Sequence, residues 1–307
     1  MFGKNTIDRA ALIESEIGSG GGGAVYKAWH TRLQRYVVLK EQKYNPENDI
    51  ETRRNEFEAL KKVECKYLPQ VYEFVKKGSR SAVVMELVEG ESFDKLLKRG
   101  LRFSRLQVLR WYSQLAFALQ VIHREGICHR DVKPANIMLT PVGDICLIDF
   151  NSALVRGNNI RFISCSRGYA SPEQLALFRQ YEGKTVAPVR KIISESELYS
   201  RYGVDVEPAL ANTDFVNGDH PYRQTMSATG DIDWKRSDIF SLGATIYHLL
   251  TGVHPPARAE ETIALLRFSR LDKELTAILE KSMQIKPSAR FASAKALSQA
   301  LQNMQNY

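Results

Sequence analysis

A chain of 307 residues with 44% hydrophobic and 25% charged side chains has enough apolar material for one large domain or two lobes, which excludes disordered, collagen-like and disulfide-scaffold classes. Its formal net charge of +8 is dispersed, since basic and acidic residues interleave from Arg32 to Arg105, so the surface reads as ordinary solvated protein with no nucleic acid as partner. Four cysteines, Cys65, Cys128, Cys146 and Cys165, show no Cys-x-x-Cys spacing and read as reduced thiols.

In chain order, Met1–Arg9 lacks the apolar core of a secretory signal. Leu12–Ile17, Ala24–Ala28, Tyr36–Lys40, Tyr72–Val75 and Ala82–Leu87 then alternate apolar and polar residues, which predicts strands. Between the third and fourth, Ile50, Phe57, Leu60 and Val63 recur among charges, which predicts an amphipathic helix over Asp49–Val63. From about residue 94 the period becomes helical. Leu106, Leu109, Tyr112, Leu115, Leu119 and Ile122 mark one long helix, and residues 239–250, 261–268, 273–284 and 292–304 predict four more. The most apolar of these, Ile239 to Leu250, is far short of the ~20 residues that cross a bilayer and predicts a buried helix. No membrane span and a cytoplasmic setting are the expectations. The order of elements predicts an α+β chain, a small β-rich lobe with one helix followed by a large helical lobe.

The chemistry-bearing residues fall between these elements. Gly18-x-Gly20-x-x-Gly23-x-Val25 reads alone as a flexible linker, but it joins two predicted strands as a hairpin tip, where glycines let backbone amides approach phosphate oxygens. Lys40, inside an apolar strand, needs an anion, and the helix at 49–63 offers Glu56 and Glu58. A lysine on a surface-facing edge is the plainer alternative. Asp131, Lys133 and Asn136 share one loop in which a carboxylate can accept a hydroxyl proton, an ammonium can neutralise phosphoryl charge and an amide oxygen can ligate a metal. Asp149 follows the apolar Leu147-Ile148, where a hard cation bridging phosphates fits.

The glycine loop, the strand lysine, His129-Arg130-Asp131-x-Lys133-Pro134-x-x-Asn136 and Asp149-Phe150 together resemble the serine/threonine protein kinases, from about Ile13 to Leu301. Ser171-Pro172-Glu173 is similar to that family's Ala-Pro-Glu, and the stretch from Ser237-Asp238 to Gly243 is similar to its central helix. The resemblance implies a two-lobed kinase fold, with an N-terminal lobe over 1–88 and a C-terminal lobe over 89–307. It implies that Lys40 holds the α- and β-phosphates of ATP and pairs with Glu56, that Asp131 is the base, that Lys133 steadies the γ-phosphoryl group, and that Asn136 and Asp149 hold Mg2+ or Mn2+. Val25, Val38 and Met138 would enclose adenine, Met85 would guard the rear of the pocket, and Glu86 to Val88 would offer hinge backbone, although plain strand packing also accounts for the apolar positions. Arg290 would form a buried ion pair with Glu173. The partners implied are protein substrates with serine or threonine acceptors. The rival reading is a pseudokinase that binds nucleotide without turnover; a small-molecule kinase is a more distant one.

Several departures carry further expectations. Asn151 stands where the family has the glycine of Asp-Phe-Gly, and as the side chain most tolerant of positive φ it is expected to keep that path. Val38 enlarges the adenine ceiling, and Ser171 replaces an alanine. Residues 180–231 form an insertion with a partner-docking face around Ile192, Leu198 and Tyr199, and the segment from Gly252 to Leu275 has room for one helix. Ser164 is the candidate phosphorylation site, with Arg130 as the cation to receive the phosphate, and activity without phosphorylation is the equal alternative.

Overall fold

A computed structural model describes residues 11–20, 23–42, 50–77, 80–157, 165–181, 232–269 and 271–305. They divide into two compact units. The described residues of Met1–Leu96, Phe117–His129 and Pro134–Phe162 form one, and those of Leu97–Ala116, Arg130–Lys133 and Ile163–Tyr307 form the other. The insertion expected at 180–231 lies outside the described residues from 182 onward, as does Ser164.

The first unit is built on an antiparallel sheet of five strands: β1 (Ala11–Gly20), β2 (Gly23–His30), β3 (Arg35–Gln42), β4 (Val71–Lys77) and β5 (Arg80–Glu86), in the order β1-β2-β3-β5-β4. The alternation read from the sequence becomes two faces. Ala11, Ala28, Val37, Leu39, Ala82 and Val84 are buried together, with Ile13, Tyr26, Tyr72 and Val75 packed against them. A fully buried side chain such as Leu39 contributes roughly 1.5–3 kcal/mol. The opposite face is carried by Val25, which pairs with Lys40, and by Val38, which pairs with Met85. Helix α1 (Ile50–Lys61) adds Phe57, 5.8 Å from the ring of Phe74 on β4.

Short strands complete this unit. β6 (Glu91–Ser92), β8 (Ile137–Leu139) and β9 (Ile145–Leu147) form a three-stranded sheet, and β7 (Ile127–Cys128) pairs with β10 (Leu154–Val155). Gly90, at φ +130°, enters β6 so close to β8 that a Cβ would stand 2.1 Å from the Leu139 carbonyl oxygen. Cys146 is buried on β9.

Helix α2 (Phe93–Lys98) and α3 (Arg105–Arg124) follow the sheet. On α3, Leu109, Tyr112, Leu115, Leu119 and Ile122 are buried as the pattern predicts, but Leu106, in the first turn, is 74% exposed. The second unit holds α4 (Pro172–Tyr181), α5 (Trp234–Thr251), α6 (Ala259–Arg267), α7 (Lys273–Ser282) and α8 (Ala294–Gln305). Helix α5 is buried along nearly its whole length, as expected for a run apolar on every side. It begins at Asp233, whose carboxylate caps Arg236 N, and ends at Gly252 with φ +67°. Gly243 lets α7 approach, because a Cβ there would meet Ser282 and Met283 at 2.9 Å. Between Gly252 and α7 the described residues hold one helix, α6.

Candidate active site

The first unit gathers the nucleotide-facing residues. β1 and β2 pair Gly18 with Val25, Ser19 with Ala24 and Gly20 with Gly23, so these glycines lie in adjoining paired strands, and Gly21 and Gly22 lie outside the described residues. Gly23 takes φ +139°, open to glycine and rarely to other residues. Val25, Val38, Met85, Val88 and Met138 are half-buried, unlike their fully covered strand neighbours Val37 and Leu39. Glu86 is exposed. Its N–H donates to the Gln70 carbonyl at 2.8 Å and its carboxylate accepts from Gln70 N at 3.0 Å, so its amide is already committed.

Lys40 Nζ donates to Asp149 Oδ1 at 2.5 Å, joining two of the expected site residues across 109 positions of sequence. Glu56, expected as its partner, sits half-buried on α1 beside Phe57. Burial pushes the Asp149 carboxyl up, but the Lys40 charge and hydrogen bond, the Asn151 N–H and His129 outweigh it and hold the group below its ordinary range. Asp149 is therefore an anion at neutral pH. Its backbone is left-handed, φ +69°, and its carboxylate accepts from Asn151 N at 3.2 Å. Asn151 lies inside the short 3-10 turn Phe150–Ser152 and is absent from the positive-φ residues, so the expectation of a left-handed Asn151 is corrected: the special conformation falls two residues earlier. His129, fully buried, meets the Ile148 carbonyl at 3.1 Å, and its ring packs edge-on to Phe150 at 4.9 Å. Asn136 is buried, and its carbonyl accepts from Ile148 N at 2.8 Å. A carboxylate held as an anion and an amide oxygen are hard donors, a set that fits Mg2+ or Mn2+ better than a soft metal.

The second unit gathers the base. Asp131 Oδ1 accepts from Ser166 Oγ at 2.7 Å, Asp131 Oδ2 meets Lys133 Nζ at 2.8 Å, and Lys133 Nζ also donates to Ser166 Oγ at 2.8 Å. The triangle holds the carboxylate in one orientation. Thr245 Oγ1 donates to the Val132 carbonyl at 3.2 Å, tying the same loop to α5.

Sequence reading missed what surrounds Arg130. Expected as a phosphate receiver, it is 3% exposed, and its guanidinium lies over the Trp234 ring at 4.9 Å. Its N–H donates to Asp238 Oδ1 at 2.7 Å, and its carbonyl accepts from Gln174 Nε2 at 2.8 Å. Asp238 carried a signal, a carboxylate in an apolar helix that must find donors. Gln174 and Trp234 carried none, because their partners are distant in the chain.

A family model described as "Protein kinase domain" matches residues 12–187. The chain belongs to the protein kinase family, and its relatives place it in the bacterial, eukaryotic-like (Hanks-type) serine/threonine branch. It is 27% identical to a "Probable serine/threonine-protein kinase" of Clostridium acetobutylicum, over 96% of this chain and 40% of that protein. It is 28% identical to serine/threonine-protein kinase PknL of Mycobacterium tuberculosis, over 88% of this chain and 55% of the relative. Serine/threonine-protein kinase PknA of the same species is 36% identical over 48% of this chain and 36% of its own length. The chain thus spans about half or less of the length of these relatives. Kinases of this family use ATP and a divalent metal in general, and act on proteins. Among the described residues no helix is long and apolar enough to cross a membrane.

Proposed function

We propose that the chain transfers the γ-phosphoryl group of ATP to a serine or threonine hydroxyl of a protein. The observation that carries the reading is the pair of ordered carboxylates, Asp149 gripped by Lys40 and Asp131 gripped by Lys133 and Ser166, each on the residue the family motif assigns. Residues 1–88 serve as the nucleotide lobe and 89–307 as the acceptor lobe, in a cytoplasmic setting. Val25, Val38, Met85 and Met138 bracket adenine, Glu86 and Val88 give hinge backbone, and Gly18, Gly20 and Gly23 lie along the phosphates.

Asn136 and Asp149 would hold a divalent metal, Mg2+ by preference with Mn2+ as substitute, which would offset negative charge on the phosphates. Lys40 holds the α- and β-phosphates and pairs with Glu56. Asp131 takes the acceptor hydroxyl proton as that oxygen bonds to phosphorus, and the bond from phosphorus to the β,γ-bridging oxygen breaks with its electrons leaving on ADP. Lys133 follows the charge on the moving group. The insertion at 180–231 serves as a docking face for substrate or partner.

Labelled ATP and Mg2+ with the purified chain test the reading. The unaltered protein should label itself or casein, while Asp131→Asn should bind nucleotide nearly as well and turn over about 10²-fold more slowly or worse. Nucleotide binding without transfer in the unaltered protein would instead establish the pseudokinase.

A further inference from the structure

The residue before the base adopts an unfavourable backbone. Arg130 has φ +62°, a region that a non-glycine residue keeps only when its surroundings hold it there. Three contacts do so, all within the second unit: Asp238 on its N–H at 2.7 Å, Gln174 on its carbonyl at 2.8 Å, and Trp234 against its guanidinium at 4.9 Å. Gln174 is 1% exposed and Trp234 6%.

Gln174 is anchored in turn. Its backbone N–H donates to Ser171 Oγ at 3.3 Å, its Oε1 accepts from Ser237 Oγ at 3.3 Å, and the Ser171 and Ser237 hydroxyls share a bond of 2.8 Å. Ser171, which replaces an alanine, thus closes a buried polar chain whose far end is the Arg130 carbonyl.

We infer that Trp234 and Gln174 are positioning residues for Asp131, acting through Arg130; the inference rests on the general-base role proposed above. The Arg130 carbonyl belongs to the peptide that carries Asp131 N, so the bond from Gln174 fixes the plane of that peptide. Losing it lets residue 130 relax toward right-handed φ and turns the Asp131 carboxylate away from Lys133 and Ser166. Trp234 acts on the other end of the same residue. A guanidinium almost removed from water needs compensation, and the aromatic face supplies it. Without the ring the cation is driven toward solvent and pulls its backbone with it.

Trp234→Phe, Trp234→Met and Gln174→Met, compared with the unaltered chain, test this. Turnover of ATP on casein is split into kcat and the KM for Mg-ATP, and hydrogen–deuterium exchange is followed by peptide. Both Met variants should lose about tenfold or more in kcat, with KM within about twofold, while Trp234→Phe keeps kcat within about threefold. Exchange should rise over residues 128–134 and not over 273–282. Unchanged kcat in both Met variants, or a loss in Trp234→Phe equal to that in Trp234→Met, overturns the inference. Should a Met variant fail to fold, Arg130→Lys, which keeps the charge without the planar face, should show the same kcat loss, and parent-like kcat there overturns it. If the unaltered chain transfers no label, the general-base reading fails separately, and an absent rise over 128–134 then overturns the positioning role.

Discussion

Arg290 holds Glu173 with both terminal nitrogens, Nη1 to Oε1 at 2.5 Å and Nη2 to Oε2 at 2.8 Å, in surroundings that leave their side chains 0% and 3% exposed. The remaining guanidinium donors go to the carbonyls of Gln284, Arg236 and Ile285, and the plane lies over Phe240, so all five N–H groups are used. Removing either partner leaves the other charged and buried. Glu173→Ala and Arg290→Ala should therefore each lower stability by about 3–5 kcal/mol in urea titration. Glu173→Leu combined with Arg290→Met should recover part of that loss but not all, because three backbone carbonyls lose their donor. Full additivity of the two changes would show that they do not act as a pair.

Asp149 makes acid stability depend on Lys40. Its folded pKa lies below the ordinary 3.8, so its contribution is fully present above that value and disappears as pH falls through the folded pKa. In Lys40→Met the burial that pushes the group up acts with less opposition, and the sign reverses. Acid then relieves the buried carboxylate in that variant, so its melting temperature should fall less steeply than the parent's as pH drops, seen when melting temperature is plotted against pH. Coincident profiles would place the Lys40 charge elsewhere.

Nucleotide should stabilise the parent and not this variant. At about 100 times its dissociation constant, Mg-ATP should add ~2.7 kcal/mol to the parent's unfolding free energy. Lys40→Met should lose most of that gain, measured as the ligand-induced shift in melting temperature.

Asn151→Gly should bring no advantage. Asn151 already has an ordinary backbone within the turn Phe150–Ser152, so glycine adds only unfolded-state entropy and should cost roughly 0.5–1 kcal/mol. A rise in stability in Asn151→Gly would show that the asparagine is strained after all.

Ser164→Ala should leave kcat within about threefold of the parent, because the cation expected to receive a phosphate is buried against Trp234. A tenfold loss in steady-state turnover would show that Arg130 leaves that ring in the working enzyme.

Lys40, Asp131, Asn136 and Asp149 stood out in the sequence because each is a polar group in an apolar or tightly spaced setting that demands an explanation. The strand alternation likewise foretold which face of the sheet is sealed by Val37 and Leu39 and which carries Val38 and Lys40. Leu106 misled because helical periodicity continues to the end of a helix even where nothing covers its first turn. The left-handed position was misplaced because residue tolerance says where positive φ is cheap, not where the chain needs it, and here the Lys40 and Asn151 contacts hold Asp149 there. Gln174 escaped notice because its partner is a backbone carbonyl 44 residues away, and no residue type announces that.

Cys146, three residues before Asp149, has its thiol pushed up to about 12, first by burial and then by Glu86 and Cys65. At pH 7 only about one molecule in 10⁵ carries the thiolate at that position. Acrylamides, chloroacetamides and peroxide all need that thiolate, so a covalent inhibitor that reaches this strand finds a sulfur too weakly nucleophilic to capture it. Chemistry aimed at that strand would have to be reversible, or be directed at a residue other than Cys146.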